Sequence, residues 1–390
     1  MAGCRISNCA FGSDEKVIRI LSIFGTRPEA VKMAPVVQLL AQTADIESQV
    51  CVTAQHRQML DQVLEVFGIR PDYDLNLMKP NQSLAQLTAA IFTHLEPVLM
   101  QAKPDWILVQ GDTTTVMAAS ILAFYLRIRV GHVEAGLRTG DRWQPFPEEI
   151  NRRLAGVVAD LHFAPTEQSR QNLLREGVDP RIIAVTGNPA IDALNQISKL
   201  PCPPVAQALL DELGVGQKGR RLILVTAHRR ENFGQPIEDI CHALRQIAEY
   251  LSGKVSLLYP VHLNPNIQQP VYRLLGGVPG IKLIDPLDYL PMVHLMRRAT
   301  LVLTDSGGIQ EEATSLGIPT LVLRNTTERP EGVEAGVLKL VGTDRERIVT
   351  ETLRLLEDQA AYHAMSTAAN PFGDGHAAEK IVSALLRYNR

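Results

Sequence analysis

Residues 17–40, VIRILSIFGTRPEAVKMAPVVQLL, hold the pattern that decides the fold class of this chain. A short apolar run rich in β-branched residues occupies 17–24, and a helical pattern follows a Gly-Thr turn at 28–40. The same succession of short strand and helix recurs along most of the 390 residues. Such alternation is typical of parallel sheets covered by helices, so we predict an α/β protein.

The predicted elements form two stretches of similar length. We predict further strands at 50–53, 106–110, 130–133, 161–164, 182–185, 222–226, 255–259, 281–284, 301–304 and 320–323. We predict further helices at 115–126, 148–158, 236–250, 308–316 and 377–388. The alternation stops at residues 200–205 (LPCPPV), where three of six residues are proline, and this stretch is the predicted domain boundary.

The pattern therefore predicts two Rossmann-like domains whose parallel sheets face a central cleft. The predicted parts are a disordered leader at 1–16, an N-terminal domain at 17–200, a C-terminal domain at 206–375 and a final helix at 376–390 that packs back on the first domain. In each domain a ligand is expected at the carboxyl ends of the strands.

Composition excludes several classes of function. The formal net charge is −3, with 39 Lys and Arg against 42 Asp and Glu, so the basic excess of a general nucleic-acid binder is missing. No apolar run approaches the ~18 residues of a membrane helix, and the first residues lack the core of a signal peptide. Five scattered cysteines without a Cys-x-x-Cys pair predict neither a disulfide framework nor a zinc site, and they favour a reducing, cytoplasmic location.

Charged side chains of the first half follow predicted strands. Arg27 and Lys32 lie at a helix start that favours anions, and Thr26 can cap that helix. Asp112 and Glu134 each come directly after a strand, where a carboxylate is a candidate for acid–base chemistry.

A third carboxylate, Glu148, begins a predicted helix with Arg152 four residues later on the same face. Each of these groups has a structural alternative. Asp112 could cap a helix, Glu134 could pair with Arg138 on the surface, and Glu148 could pair with Arg152. We refer to Asp112, Glu134 and Glu148 as the carboxylate trio.

Two loops of the second half carry groups suited to phosphates. Residues 226–232 (TAHRREN) include His228, and residues 304–312 (TDSGGIQEE) place Ser306, Gly307 and Gly308 at a helix start. Backbone N–H groups at such a start can cradle a phosphate. The alternative is a pair of ordinary capped turns with solvated charges.

Further along the same half, Glu312 could accept the two hydroxyls of a ribose, and Arg329 adds a cation. The pattern G-x-G-x-x-G at 214–219 precedes a strand rather than following one, so we interpret it as a false dinucleotide fingerprint. The histidines show no metal-ligand spacing. Phosphate donors in one half and carboxylates in the other indicate a nucleotide-sugar enzyme.

The motifs also resemble those of the non-hydrolysing UDP-N-acetylglucosamine 2-epimerase family. The shared strings are FGTRPEA, TAQHRQMLDQVL, GDTTT, GHVEAGLRTGD, PEEINR, AHRREN, YPVHLNPN, LTDSGGIQEEA, TTERPEG and NPFGDG. They occur in the order of the family between residues 24 and 375. The resemblance implies a GT-B-like fold, a homodimer, UDP-N-acetylglucosamine and UDP as ligands, and no metal or nicotinamide cofactor.

The resemblance also implies a reaction and a set of residues. UDP would be eliminated across C1 and C2 to a glycal and added back with C2 inverted, which supplies N-acetylmannosamine units for surface polysaccharides. The positions that match the catalytic cleft are Arg27, Lys32, Asp112, Glu134, Glu148, Arg152 and His228. The positions that match UDP contacts are Ser306, Gly307, Gly308, Glu312 and Arg329.

Two further sets of residues carry narrower expectations. Leu287 and Met292 stand in the region of the uracil contacts but differ from the enterobacterial pattern, so their backbone atoms are expected to contact the base. Gln55, Gln58 and His262 match a second, regulatory UDP-N-acetylglucosamine site of some members.

The chemistry fits this expectation but leaves alternatives. The C2 hydrogen of a pyranose is barely acidic, so its loss must accompany departure of UDP, and the site needs cations on the phosphates and carboxylates near C1 and C2. We expect the carboxylate trio to act as the acid–base set, in no assigned order, and His228 to bind the diphosphate. The alternatives are a hydrolysing epimerase, a GT-B glycosyltransferase and a non-catalytic nucleotide-sugar sensor.

Overall fold

The computed structural model describes residues 17–53, 57–79 and 82–389, with the backbone alone at 57–59. These residues form two parallel β-sheets, each wrapped by helices. We call the part built on the first sheet the first lobe and the part built on the second sheet the second lobe. The α/β class and the two-sheet architecture are thus confirmed.

The strands are β1 (Ile18–Phe24), β2 (Ile46–Val52), β3 (Tyr73–Asp74), β4 (Trp106–Gln110), β5 (Arg129–Val133), β6 (Leu161–Ala164), β7 (Ile183–Val185), β8 (Arg221–Thr226), β9 (Val255–Pro260), β10 (Ile281–Ile284), β11 (Ala299–Thr304), β12 (Thr320–Val322) and β13 (Leu338–Leu340).

The helices of the first lobe and of the crossing are α1 (Arg27–Gln42), α2 (Arg57–Val66), α3 (Leu84–Ala102), α4 (Thr114–Tyr125), α5 (Glu148–Val158), α6 (Glu167–Arg175), α7 (Pro189–Ile197) and α8 (Pro204–Glu212). The remaining helices are α9 (Gln235–Tyr250), α10 (Pro265–Leu275), α11 (Tyr289–Arg298), α12 (Gly307–Ser315), α13 (Pro330–Glu334), α14 (Arg345–Glu357), α15 (Gln359–Ser366) and α16 (Ala377–Tyr388).

The first sheet has the strand order β3-β2-β1-β4-β5-β6-β7, with all pairings parallel. All five residues of β4 are buried, as expected for a central strand that is covered on both faces. Because β1, β4 and β5 are neighbours, the loops that follow them meet at one edge of the sheet. This edge carries Arg27, Asp112 and Glu134.

The second sheet repeats the plan with the order β10-β9-β8-β11-β12-β13, again parallel. Here β8 and β11 are neighbours, and their registered ends pair Thr226 with Thr304. The loop that carries His228 therefore lies beside the turn that carries Ser306. The two functional loops of this lobe share one edge, as a parallel sheet requires.

The last helix, α16, follows the second sheet in sequence but packs on α1 and α7 of the first lobe. Ile381 and Leu385 belong to the same apolar cluster as Val36 of α1. The carboxylate of Asp192 on α7 accepts hydrogen bonds from the backbone N of Ala377 and Ala378, at 3.1 and 2.9 Å. Asp192 thus caps α16 from another helix. The predicted domain bounds at 200 and 206 stay a prediction.

Several predicted elements coincide with the structure, among them β4, α5, β6, β10 and α16. No helix was predicted at the proline-rich stretch, where α8 begins at Pro204. Proline is favourable in a first helical turn because its missing N–H has no partner there anyway. Residues 217–219 form a 3₁₀ turn ahead of β8, in keeping with the dismissal of the glycine pattern as a phosphate-binding turn.

Candidate active site

Arg152 on α5 lies among the three carboxylates of the trio. One of its terminal nitrogens, Nη2, forms an ion pair with Asp112 Oδ2 in the turn after β4. The neighbouring Asn151 donates to the Asp112 carbonyl at 2.9 Å, which fixes that turn. Arg152 is 7% exposed, and within the described residues its Nε and Nη1 have no hydrogen-bond partner. Two donors of a buried guanidinium are therefore available to an anionic ligand.

Glu148 lies near the same guanidinium, at the first residue of α5. Its Oε2 is buried and has no hydrogen-bond partner in the part of the chain that the structure describes. Burial raises the pKa of Glu148, and the Asp112 charge adds to this effect, although Arg152 and Arg229 oppose it. Arg229 belongs to the second lobe, so Glu148 faces the cleft between the lobes. A carboxyl with a raised pKa and a free oxygen is suited to carrying a proton.

Glu134 directly follows β5 and lies in the left-handed region, with φ of 63°. Residues other than glycine rarely adopt this backbone conformation, which persists only where the surrounding structure holds it in place. Here Lys32 Nζ lies 2.5 Å from Oε1, and Gln110 Nε2 lies 2.5 Å from Oε2. Burial would raise the pKa of Glu134, but Lys32, Arg152 and Arg329 together hold it below its ordinary value. Glu134 is therefore a carboxylate that stays charged.

The turn at Ser306–Gly308 forms the N-terminal end of α12. A Cβ added at Gly307 would lie 2.5 Å from Arg329 Nη1, whereas one added at Gly308 would meet nothing within 4 Å. The guanidinium of Arg329 thus lies directly against the backbone at Gly307. Open space, backbone N–H groups and a buried cation at a helix N-terminus make a site for a phosphate.

Arg329 is held by two carboxylates of its own lobe. Its Nε lies 2.5 Å from Glu311 Oε1, and its Nη1 lies 3.0 Å from Glu328 Oε2. Burial opposes ionisation of Glu328, but Arg329 and Arg324 lower its pKa to about 2. The ion pairs keep the guanidinium charged and fixed inside the protein.

His228 is anchored by Asp305, which is fully buried after β11. Asp305 Oδ2 accepts from the backbone N of His228 and Arg229 at 2.7 and 2.8 Å and from Asn232 Nδ2 at 2.9 Å. Burial lowers the pKa of His228 despite Asp305, and the charge of Arg229 lowers it further. A neutral imidazole held in this way can donate one N–H to a ligand oxygen.

Glu312 lies on α12, 8% exposed, and accepts from Tyr289 Oη at 3.3 Å. Burial and the adjacent Glu311 charge raise its pKa to about 7. The side chains of Leu287 and Met292 pack against the apolar cluster of the second lobe. The Leu287 carbonyl accepts from Arg27 Nη1 at 3.4 Å, a contact between the two lobes. This orientation fits a base contacted through the backbone.

The structural alternatives for the trio fail. Thr113, and not Asp112, caps α4. Arg138 pairs with Glu176 at 2.8 Å, while Glu134 is buried beside Lys32.

The third alternative, an ion pair within α5, does not form either. Arg152 pairs with Asp112, which leaves Glu148 Oε2 without a hydrogen-bond partner. The expected cap at Thr26 is present as a capping box with Glu29.

The sequence analysis missed several residues of this site. They share burial and direct contact with the predicted residues, and they are Gln110, Asn188, Asp305, Glu311 and Glu328. Gln110, Asn188 and Asp305 each lie at or just beyond the end of a strand. The expectation that polar residues at strand ends belong to the site, which was applied to Asp112, would have included them. Nothing in the sequence marks Glu311 and Glu328, which pair with a cation from the same lobe.

The residues predicted for a regulatory site are only partly described. Gln55 and the side chain of Gln58 lie outside the described residues. The ring of His262 stacks on that of His228, with centroids 5.4 Å apart and planes 14° apart. His262 thus touches the catalytic-cleft histidine, and its regulatory role stays a prediction.

Two further features bear on the class of site. Within 17–53, 57–79 and 82–389, no group of three or more His, Cys, Asp or Glu side chains could hold a metal ion. No helix in these ranges is both long and apolar enough to cross a bilayer.

Known proteins resemble this chain along nearly all of its length. Residues 38–386 match a family model described as UDP-N-acetylglucosamine 2-epimerase. The UDP-N-acetylglucosamine 2-epimerase of Escherichia coli strain K12 is 56% identical over 372 residues, which are 94% of this chain and 98% of that protein.

Solved structures also resemble this chain along nearly all of its length. The UDP-GlcNAc 2-epimerase of Neisseria meningitidis, bound to UDP-GlcNAc, superposes with a TM-score of 0.90 at 49% identity and covers 95% of this chain and 100% of its own. S. aureus MnaA, in a co-structure with UDP, superposes with a TM-score of 0.87 at 46% identity and covers 95% and 97%.

Proposed function

Since this chain belongs to the UDP-N-acetylglucosamine 2-epimerase family, we propose that it interconverts UDP-N-acetylglucosamine and UDP-N-acetylmannosamine without hydrolysis. The observation that carries this proposal is that the carboxylate trio, gathered around Arg152, faces the phosphate-binding turn and Arg229 of the other lobe. The ligands of the N. meningitidis and S. aureus structures support the substrate.

The proposed reaction is an elimination followed by its reverse. A base takes the C2 proton, the C2–H electron pair becomes the C1=C2 bond, and the C1–O bond breaks with its pair leaving on UDP. The intermediate is 2-acetamidoglucal. Return of a proton to the opposite face of C2, with attack of the diphosphate oxygen on C1, gives the epimer.

Glu148 is the proposed proton carrier. Its pKa is raised by burial, which favours the protonated form relative to an ordinary glutamate, and among the described residues its Oε2 has no hydrogen-bond partner to displace. Asp112, which forms the ion pair with Arg152, is the candidate for the opposite face. General acid–base catalysis typically accelerates a reaction by roughly 10²–10⁴-fold, so stabilisation of the developing charges must supply the remaining rate enhancement.

Glu134 has a different proposed role. All of its nearby donors, Lys32, Gln110 and Asn188, favour the charged form. A carboxylate that stays charged can stabilise the positive character that develops at C1 as UDP leaves. It would act by its charge and position and would not move a proton.

The second lobe would hold UDP. The N-terminus of α12 and Arg329 would bind the diphosphate and stabilise its charge as it departs, with His228 donating from the neighbouring loop. Glu312 would accept the ribose hydroxyls, and backbone atoms near Leu287 would contact the base.

The first prediction concerns isotope exchange. In D₂O, the purified protein should place deuterium at C2 of both nucleotide sugars and release no free N-acetylmannosamine, as followed by NMR. Glu148→Gln should lower kcat by about 10²–10⁴-fold because it removes the proton carrier. Glu167→Gln on α6, whose side chain is 61% exposed, is the control and should retain the wild-type rate.

Two outcomes would change the proposal. Accumulation of free N-acetylmannosamine with UDP would indicate a hydrolysing epimerase. A wild-type protein that binds UDP-N-acetylglucosamine but leaves C2 unexchanged would instead favour a glycosyltransferase or a sensor. The homodimer, the cytoplasmic location, the polysaccharide role and the regulatory site stay predictions.

A further inference from the structure

Asn188 is the N-cap of α7, the last helix of the first lobe before the chain crosses to the second lobe. Its backbone N donates to the Phe372 carbonyl at 2.9 Å, in the segment that returns the chain to the first lobe. Its Oδ1 accepts from Ala190 N at 3.0 Å and caps α7. The residue is 1% exposed. Its backbone and one side-chain atom are thus fixed by structural contacts.

The remaining atom, Nδ2, lies between two carboxylates from different lobes. It donates to Glu134 Oε1 at 3.0 Å and to Glu311 Oε2 at 2.6 Å. A side-chain amide nitrogen carries two hydrogens, so one can be given to each carboxylate. Without this donor, two buried carboxylates would face each other across the lobe boundary.

Each of the two carboxylates is part of the proposed machinery or holds a part of it. Glu134 is the charged carboxylate of the first lobe. Glu311 fixes Arg329, whose guanidinium lies against Gly307 at the UDP-binding turn. A continuous series of buried contacts therefore runs from the diphosphate site through Asn188 to Glu134.

We propose that Asn188 is a positioning residue, which aligns Glu134 with the sugar by tying it to the carboxylate that holds the UDP-binding arginine. This inference rests on the proposed function. It assigns Asn188 no contact with the substrate. The amide sets the distance between a group that acts on the sugar and a group that holds UDP.

The second prediction tests this link with two substitutions that keep the cap of α7. Serine and aspartate both cap helices well, so Asn188→Ser and Asn188→Asp should keep the wild-type circular dichroism spectrum, while thermal unfolding should shift to lower temperature because two buried carboxylates lose their donor. Serine is too short to reach either carboxylate. Asn188→Ser should therefore lower kcat by about 10–100-fold, since a small misplacement near the reacting atoms costs that much. The affinity for UDP, measured by calorimetry, should change by less than about threefold.

Asn188→Asp tests the link through the pH dependence of kcat, which a purely structural role of Asn188 would leave unchanged. The introduced carboxylate faces Glu134 and Glu311, which pair with Lys32 and Arg329. At high pH its negative charge repels both glutamates, so neither contact forms. As the pH falls, protons shared between the carboxyls restore hydrogen bonds across the lobes. The kcat of N188D relative to wild type should rise about tenfold from about pH 8 to about pH 6, whereas that of N188S should stay constant.

A double-mutant comparison separates the link from the general support of Arg329. Glu311 and Glu328 both hold Arg329, but only Glu311 contacts Asn188 among the described residues. The loss caused by N188S should be several-fold smaller in a Glu311→Gln background than in wild type. It should be unchanged in a Glu328→Gln background, which is the matched control.

The outcomes distinguish this inference from the proposed function. A wild-type protein that exchanges no deuterium at C2 overturns both. An active wild type matched by N188S, a pH-independent loss in N188D, or equal losses in both glutamine backgrounds would each overturn the positioning role alone.

Discussion

Glu312 is a residue of the second lobe at which burial makes stability depend on pH. Its pKa of about 7 lies above the ordinary value of 4.5 because the carboxyl is buried next to Glu311. Between these two values the folded state binds more protons than the unfolded state. The free energy of unfolding therefore falls as the pH rises through this window, and the loss is complete above the folded pKa.

The third prediction follows from that sign. Glu312→Gln removes the ionisation and keeps an oxygen for Tyr289, so it should stabilise the ligand-free protein. The gain over wild type should increase by roughly 2 kcal/mol between about pH 5 and about pH 8, measured by urea unfolding at each pH. Glu334→Gln, exposed on α13, is the control and should show no such increase. An equal gain at both pH values would contradict the burial of an ionisable Glu312.

The sequence could identify single residues only where a local rule applied. Asp112 and Glu134 directly follow strands, and Ser306 precedes a helix, so their positions could be predicted. Asn188 and Glu311 are 123 positions apart, and their contact exists because two lobes meet. No local pattern encodes a hydrogen bond of that kind, which is why the link between the lobes appeared only in the structure.

The N-terminal end of α12 is the element on which UDP binding would depend. Gly307 and Gly308 are adjacent, yet their surroundings differ. A side chain at Gly307 would collide with Arg329, while the space at Gly308 is open. The turn therefore has two separate roles: Gly307 leaves room for Arg329, and Gly308 leaves the N–H groups open to a phosphate.

The fourth prediction uses this pair. Gly307→Ala should push Arg329 away and destabilise the protein by about 1–3 kcal/mol, as overpacking does. Gly308→Ala should leave the stability equal or raise it by up to ~1 kcal/mol, because alanine restricts the unfolded chain. It should still weaken UDP binding by more than about tenfold, since its methyl group would cover the phosphate site. Thermal unfolding and calorimetry measure the two effects, and undiminished UDP binding by G308A would argue against this turn as the phosphate site.

Elements were predictable where capping and periodicity agreed. The strand β1, the cap at Thr26 and the start of α1 coincide within one or two residues of the prediction. The helices α3 and α8 were missed. At α8 the prolines of 200–205 were interpreted as a domain boundary, although the first turn of a helix tolerates proline.

At the scale of the whole molecule, polar and apolar contacts both join the two lobes, and Val293 of α11 lies in the apolar cluster of α1 and α16. Arg27 reaches the Leu287 carbonyl, and Asn188 reaches Glu311. The chain passes between the lobes before α8 and again before α16, which packs on α1 and α7. We expect the lobes, which are joined by two crossings, to close on the nucleotide sugar that both are proposed to bind.

The fifth prediction is that UDP closes the cleft. The first lobe contributes Arg27, Lys32 and Arg152 to the cleft, and the two unpartnered donors of Arg152 need an anion. A diphosphate held by α12 would supply one. UDP should therefore slow amide hydrogen exchange in residues 110–115 and 131–140 of the first lobe as well as in 226–232 and 304–312 of the second.

Uridine at saturation lacks the diphosphate, so it should protect the second lobe alone. Protection by UDP confined to residues beyond 205 would show that the cations of the first lobe do not reach the nucleotide, and closure would then have to be driven by the sugar.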